Sequence, residues 1–156
     1  MSRLIPGGAI PLFDKLDQRP TAASNETDQV LPIEGVEASV ARELLRLTNS
    51  RSRVTLSDFQ DAALTVLDYG IPDYSARSAQ SEQDRSLISD AIARAITAFE
   101  PRLAEVSVSL VAGSFGKSIA RYHISANLRI AQTVRRINFK IDTTDQLQHS
   151  HALESV

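Results

Sequence analysis

The chain has no cysteine, which removes a disulfide framework, a thiolate metal site and a cysteine nucleophile together, and nothing in it calls for an oxidising compartment. No stretch approaches the roughly 20 apolar residues needed to cross a bilayer. The N-terminal Met1-Ser2-Arg3-Leu4-Ile5-Pro6-Gly7-Gly8 is interrupted by proline and glycines before a signal-peptide core can form. The expectation is a soluble protein of a reducing cytoplasm. A third absence is regional. Residues 106 to 141 contain no aspartate or glutamate, yet they carry Lys117, Arg121, Arg129, Arg135, Arg136 and Lys140. Taking those six cations from the net charge of -2 leaves -8 for the rest of the chain. Such a division can aim a basic surface at nucleic acid, at an acidic protein, or at the acidic half of the same molecule.

What is present suffices for one domain. At 156 residues with 42% hydrophobic content, the chain can bury on the order of two thirds of its unfolded surface. Residues 1–29 read as a flexible N-terminal segment. It holds a short apolar docking patch, Leu12-Phe13-Asp14-Lys15-Leu16, ahead of a polar tether from Asp17 to Gln29. Equally, that patch can cover part of the domain's own core. Residues 30–142 form the domain, and the polar stretch 143–156 forms a tail.

Within the domain, Val36, Val40, Leu44 and Leu47 recur at the spacing of one helical face, which predicts a helix from Glu34 to about Thr48. Asn49 to Arg53 breaks it. A shorter helix, capped by Thr55 or Ser57, is expected to carry Phe59, Ala63, Leu64 and Leu67, closed by Gly70 in a left-handed turn and by Pro72. Ser81 caps a third helix, with Asp84 in a capping-box position. Its buried stripe runs through Leu87, Ile88, Ala91, Ile92, Ala95, Ile96 and Phe99. The period then becomes two. Val106, Val108 and Leu110 alternate with serines, Tyr122 to Ile130 alternate with polar residues, and so do Ile137, Phe139 and Ile141. A three-stranded antiparallel sheet with one wet face needs a cover on the other. The fold class is therefore α+β, with three N-terminal helices packed on one face of the sheet.

Several constellations for chemistry fall short. Gly113-Ser114-Phe115-Gly116-Lys117-Ser118 ends like a phosphate-binding loop, but the first glycine is replaced by Val111 and a strand follows instead of a helix. It reads as a hairpin loop. His149 and His151 lie in the polar tail without further clustered ligands, so no metal site and no cofactor are expected. His123 has no triad to join. Single-stranded RNA readers stack bases on aromatic side chains of an exposed sheet face, whereas Tyr122 and Phe139 fall on the apolar side here. A glycosidase needs two facing carboxylates. Glu100 could be one, but Arg102 beside it favours the ionised form and no second member is evident.

The most informative stretch is Phe99-Glu100-Pro101-Arg102-Leu103, at the point where the helical period gives way to alternation. Proline ends the helix and pushes Glu100 toward extended geometry, which holds an acid and a base at fixed directions on the shoulder between two elements. For the triplet in isolation, a helix stop with a surface ion pair of little energetic consequence is the plainer reading. Its context adds more. Leu44-Leu45-Arg46-Leu47-Thr48-Asn49-Ser50-Arg51, Leu67-Asp68-Tyr69-Gly70-Ile71-Pro72-Asp73-Tyr74-Ser75, the N-terminal Leu12 to Leu16 and the Glu-Pro-Arg junction stand in this order before the strands. From Leu12 to Ile141 the chain resembles the TssE family of type VI secretion baseplate subunits, relatives of the lysozyme-like wedge protein of contractile phage tails.

That resemblance implies a cytoplasmic structural component of the baseplate wedge that helps start polymerisation of the contractile sheath. Its partners would be other wedge subunits and sheath subunits, with no nucleic acid, no membrane insertion and no small-molecule substrate. Glu100, Pro101 and Arg102 would be the partner-binding residues. The open sheet would offer its edge to a partner's strand, with Arg135, Arg136 and Lys140 guarding against indiscriminate pairing. The protein would not be an enzyme. The alternative from another class is a peptidoglycan-type glycan hydrolase.

Overall fold

The computed structural model describes residues 7–9, 30–78, 81–110, 119–130 and 133–144. The elements in chain order are β1 (Gly7–Ala9), β2 (Val30–Pro32), α1 (Ile33–Asn49), a single 3-10 turn (Val66–Asp68), α2 (Glu82–Phe99), β3 (Leu103–Leu110), β4 (Ile119–Ile130) and β5 (Thr133–Thr144). The short β1 and β2 pair antiparallel. The larger sheet has the order β3-β4-β5, antiparallel throughout.

The two-residue alternation of β4 explains the core. Tyr122, Ile124, Ala126, Leu128 and Ile130 are all buried on one face, joined across the ladder by Phe139 opposite Ile124 and Ile137 opposite Ala126. Both helices pack on that face. α1 contributes Val36, Val40, Leu44 and Leu47, and α2 contributes Ile88, Ile92 and Ile96 to the same cluster. Each fully buried aliphatic side chain of this kind stabilises the fold by about 1.5–3 kcal/mol. Ser81 caps α2 as its sequence predicts, its hydroxyl accepting from the Asp84 N–H at 3.3 Å. The Asp84 carboxylate turns instead to the Ser78 N–H at 3.0 Å and to Arg77 at 3.3 Å.

The expectation of three helices on the sheet is corrected to two. Between α1 and α2 the segment expected to be helical makes isolated turns around Thr55 to Ala62, then the 3-10 turn. Two causes are visible. Thr55, Ser57 and Asp58 bond to one another and to local backbone, the competition that disfavours helix interiors. In addition, Arg94 of α2 donates from Nε to the Phe59 carbonyl at 2.8 Å and from Nη2 to the Ala62 carbonyl at 2.7 Å. A continuing helix would have given those carbonyls to the amides four residues on. Phe59 is still fully buried, as its place in the pattern demands, whereas Val66 and Leu67 are 85% and 73% exposed. The docking patch at Leu12 to Leu16, the loop at 113–118 and the tail histidines lie outside the described residues.

Candidate assembly interface

The junction is built from the last turn of α2 outward. The Glu100 N–H closes the helix on the Ile96 carbonyl at 2.8 Å, and Pro101 then occupies the position of a turn that its fixed φ favours. The Leu103 N–H returns to the Glu100 carbonyl at 3.0 Å, and the Arg102 carbonyl accepts from the Arg129 N–H at 2.8 Å, which pins the turn to β4.

The side chains tie it to a third element. Arg102 grips Glu100 with two parallel bonds, Nε to Oε1 at 2.7 Å and Nη2 to Oε2 at 2.5 Å. Its remaining nitrogen, Nη1, donates to Ser39 Oγ of α1 at 2.9 Å. Glu100 is only 3% exposed and Ser39 not at all. The pair is therefore a buried, two-pronged clamp rather than the surface pair that the triplet alone suggests, and the planar fork of arginine is what makes it possible. Pro101 at the tip is exposed and Arg102 is half-buried. Among the described residues no group of three or more His, Cys, Asp or Glu side chains could hold a metal ion.

The segment around Tyr69 runs from this junction to the C-terminal end of α1. Tyr69 meets Phe99 edge-on with ring centroids 5.3 Å apart, a geometry that aromatic rings favour. Burial pushes the Tyr69 hydroxyl above its usual pKa, with the charge of Glu43 adding to the effect. Gly70 takes a φ of 120°, and a β-carbon there would sit 2.7 Å from the Ser50 carbonyl oxygen. The close approach lets Ile71 and Ser50 to Ser52 bond as strand-like neighbours, Ile71 N–H to Ser50 O at 2.9 Å and Ser52 N–H to Ile71 O at 3.0 Å. Gly70 thus has the positive φ read from the sequence, but it serves contact with the end of α1 instead of terminating a helix. Arg51 lies over the Tyr74 ring at 5.2 Å from its centroid. Beneath the exposed 3-10 turn, buried Asp68 accepts from Arg53 Nε at 2.8 Å and from the N–H and hydroxyl of Thr65 at 2.9 and 2.8 Å. Those donors, Arg53 foremost, hold the Asp68 carboxyl down at a pKa of about 2.

Sequence reasoning placed Glu100, Pro101 and Arg102 on one junction but missed Ser39, Arg53 and Asp68. Ser39 left a trace. It falls between Val36 and Val40 on the apolar stripe of α1, where an unpaired hydroxyl would be costly.

The comparisons with known proteins agree with this architecture. Residues 34–143 match the family model for the baseplate wedge protein gp25. The chain belongs to the baseplate wedge protein gp25 family, and the resemblance to type VI secretion baseplate subunits is borne out. Among solved structures it is similar to a chain of the baseplate complex from the type VI secretion system, with a TM-score of 0.51 at 15% identity, covering 71% of this chain and 96% of that one. A crystal structure of a candidate tail lysozyme from Geobacter sulfurreducens follows, at 19% identity and a TM-score of 0.49, covering 79% and 99%. No curated protein matches. Membership of the wedge family makes the role a structural one in a phage tail-like baseplate. Among the described residues no helix is long and apolar enough to cross a membrane.

Proposed function

We propose that the protein is a cytoplasmic wedge subunit of a type VI secretion baseplate that contacts other wedge subunits and helps initiate assembly of the contractile sheath through the Glu100-Pro101-Arg102 junction. The observation that carries this reading is the buried clamp of Arg102 on Glu100 and Ser39, with the Tyr69 to Ile71 segment bracing α2 against the far end of α1. Arg102 ties the α2–β3 turn to α1 through Ser39, Tyr69 packs on Phe99, and Ile71 bonds to Ser50. A corner so heavily constrained presents Pro101 and the outer edge of Arg102 in a fixed pose, which lowers the entropic cost of docking. The division of labour is then plain. Glu100 and Ser39 aim Arg102, while Pro101 and Arg102 meet the partner. Among the described residues, the outer edges of β3 and β5 pair with no further strand, so strand addition by a sheath subunit is open to either.

A glycan hydrolase finds less support in the same geometry. A general acid must present a protonated carboxyl to the scissile bond, and both oxygens of Glu100 accept from Arg102 instead.

Affinity capture of the full chain from cells that carry the secretion machine, read by mass spectrometry, tests the proposal. Recovery of wedge and sheath subunits is expected from the original protein. A Pro101→Glu variant that keeps its thermal melt is expected to lose them. Equal recovery by that folded variant would remove the junction from the interface, and cleavage of purified peptidoglycan by the original protein would favour the hydrolase.

A further inference from the structure

The wet face of the sheet carries a second, independent feature. Cross-strand register places Arg129 of β4 directly opposite Val134 of β5, and Arg136, two residues on, opposite Asn127. All three lie on the face away from the helices. Val134 is 63% exposed, and Arg129 and Arg136 are exposed on either side of it.

Their neighbours are already engaged. The nearby carboxylate, Glu105 on the β3 bulge, accepts from Asn127 Nδ2 at 2.6 Å, and Ser125 bonds to Asn138 at 2.7 Å. Arg135, which projects to the opposite face, pairs with Glu37 of α1 at 2.9 Å. Arg121, at the far end of the same face, is registered opposite Asp142. Among the described residues, the guanidinium groups of Arg129 and Arg136 have no carboxylate partner. An exposed valine between two unneutralised arginines, in a stretch of chain without a single acid from 106 to 141, is complementary to an apolar residue set between two acids.

We propose that this corner binds an acidic amphipathic helix of a partner protein, with an apolar side chain seated on Val134 and two carboxylates on Arg129 and Arg136. The spacing fits. Diagonal cross-strand neighbours lie about 7–8 Å apart, and carboxylates one helical turn apart start from β-carbons about 5–6 Å apart, a difference that long side chains close. A nucleic acid would supply the anions without the apolar residue, and it would leave Val134 with no purpose.

The test uses the full chain and a fluorescent helical peptide that carries Glu pairs at i and i+4 around a leucine. Controls are the same peptide with Gln for Glu, and a 20-residue single-stranded DNA. Fluorescence anisotropy is expected to show binding of the Glu peptide that weakens with salt, at least tenfold weaker binding of the Gln peptide, and a several-fold loss in Val134→Ser that persists at high salt. The Arg129→Glu/Arg136→Glu protein is expected to reject the Glu peptide and to gain affinity for a Lys counterpart, a gain that misfolding cannot produce. Equal affinity for the Glu and Gln peptides, tighter binding of the DNA, or unchanged binding by the charge-reversed protein would overturn the proposal.

Discussion

Two arginine-bearing corners of the same domain use their charge in opposite ways. At the α2–β3 junction, all three guanidinium nitrogens of Arg102 bond inward, to Glu100 and Ser39, and only its outer edge remains for contact. At the β4–β5 corner, Arg129 and Arg136 stand in solvent beside an exposed valine. The difference teaches that a charged motif cannot be classed as contact or scaffold from its composition, because burial of the partner decides. A buried carboxylate stripped of its arginine pays a desolvation cost that an exposed arginine never incurs.

The largest expected effect follows from that contrast. Arg102→Ala leaves the Glu100 carboxylate buried and unpaired, and chemical denaturation is expected to show a loss of about 3–5 kcal/mol. Arg136→Ala, measured in the same way, is expected to stay within about 0.5 kcal/mol of the original. Similar losses for the two would erase the distinction between the corners.

Next in size is Gly70→Ala. A left-handed φ and a β-carbon 2.7 Å from the Ser50 carbonyl oxygen predict destabilisation by about 2–3 kcal/mol. A melt unchanged by this substitution would mean that the contact between the Tyr69–Pro72 segment and the end of α1 is looser than the bonding of Ile71 implies.

A smaller, pH-selective effect belongs to Asp68. Its carboxyl titrates at about 2 in the folded protein against an ordinary value of 3.8, so the folded state binds fewer protons than the unfolded chain between those values. The resulting stabilisation is complete above about pH 4 and fades as the pH falls toward 2. Unfolding measured across that window is expected to flatten in Asp68→Asn. An identical acid slope in both proteins would contradict the bonding to Arg53 and Thr65.

Much of this was legible in sequence because the strongest signals were periodic. The α1 stripe from Val36 to Leu47, the α2 stripe, and the alternation from Tyr122 to Ile130 each mark a face that has to be buried. The second expected helix does not form, for a physical reason. Phe59 has the spacing of a helical core residue, but the carbonyls that would extend its helix are claimed by Arg94, about thirty residues away in sequence, and no local pattern reveals a long-range capping arginine. Likewise Leu67 reads as apolar and hence buried, yet its turn is held from beneath by Asp68 with Arg53, leaving Leu67 outside. At the junction, the residue types announced a fixed acid and base. Only the fold could show Ser39 as the third point of attachment, although a serine within an apolar stripe was the trace it left.

The clamped Glu100-Pro101-Arg102 turn is proposed to present a contact that sheath assembly needs. The most direct measurement is sheath formation in cells that carry the secretion machine, followed with a fluorescent sheath subunit, comparing the original chain with Pro101→Glu at equal protein level and equal melting temperature. Loss of sheath foci with the folded variant is the predicted result, and normal foci would contradict the claim.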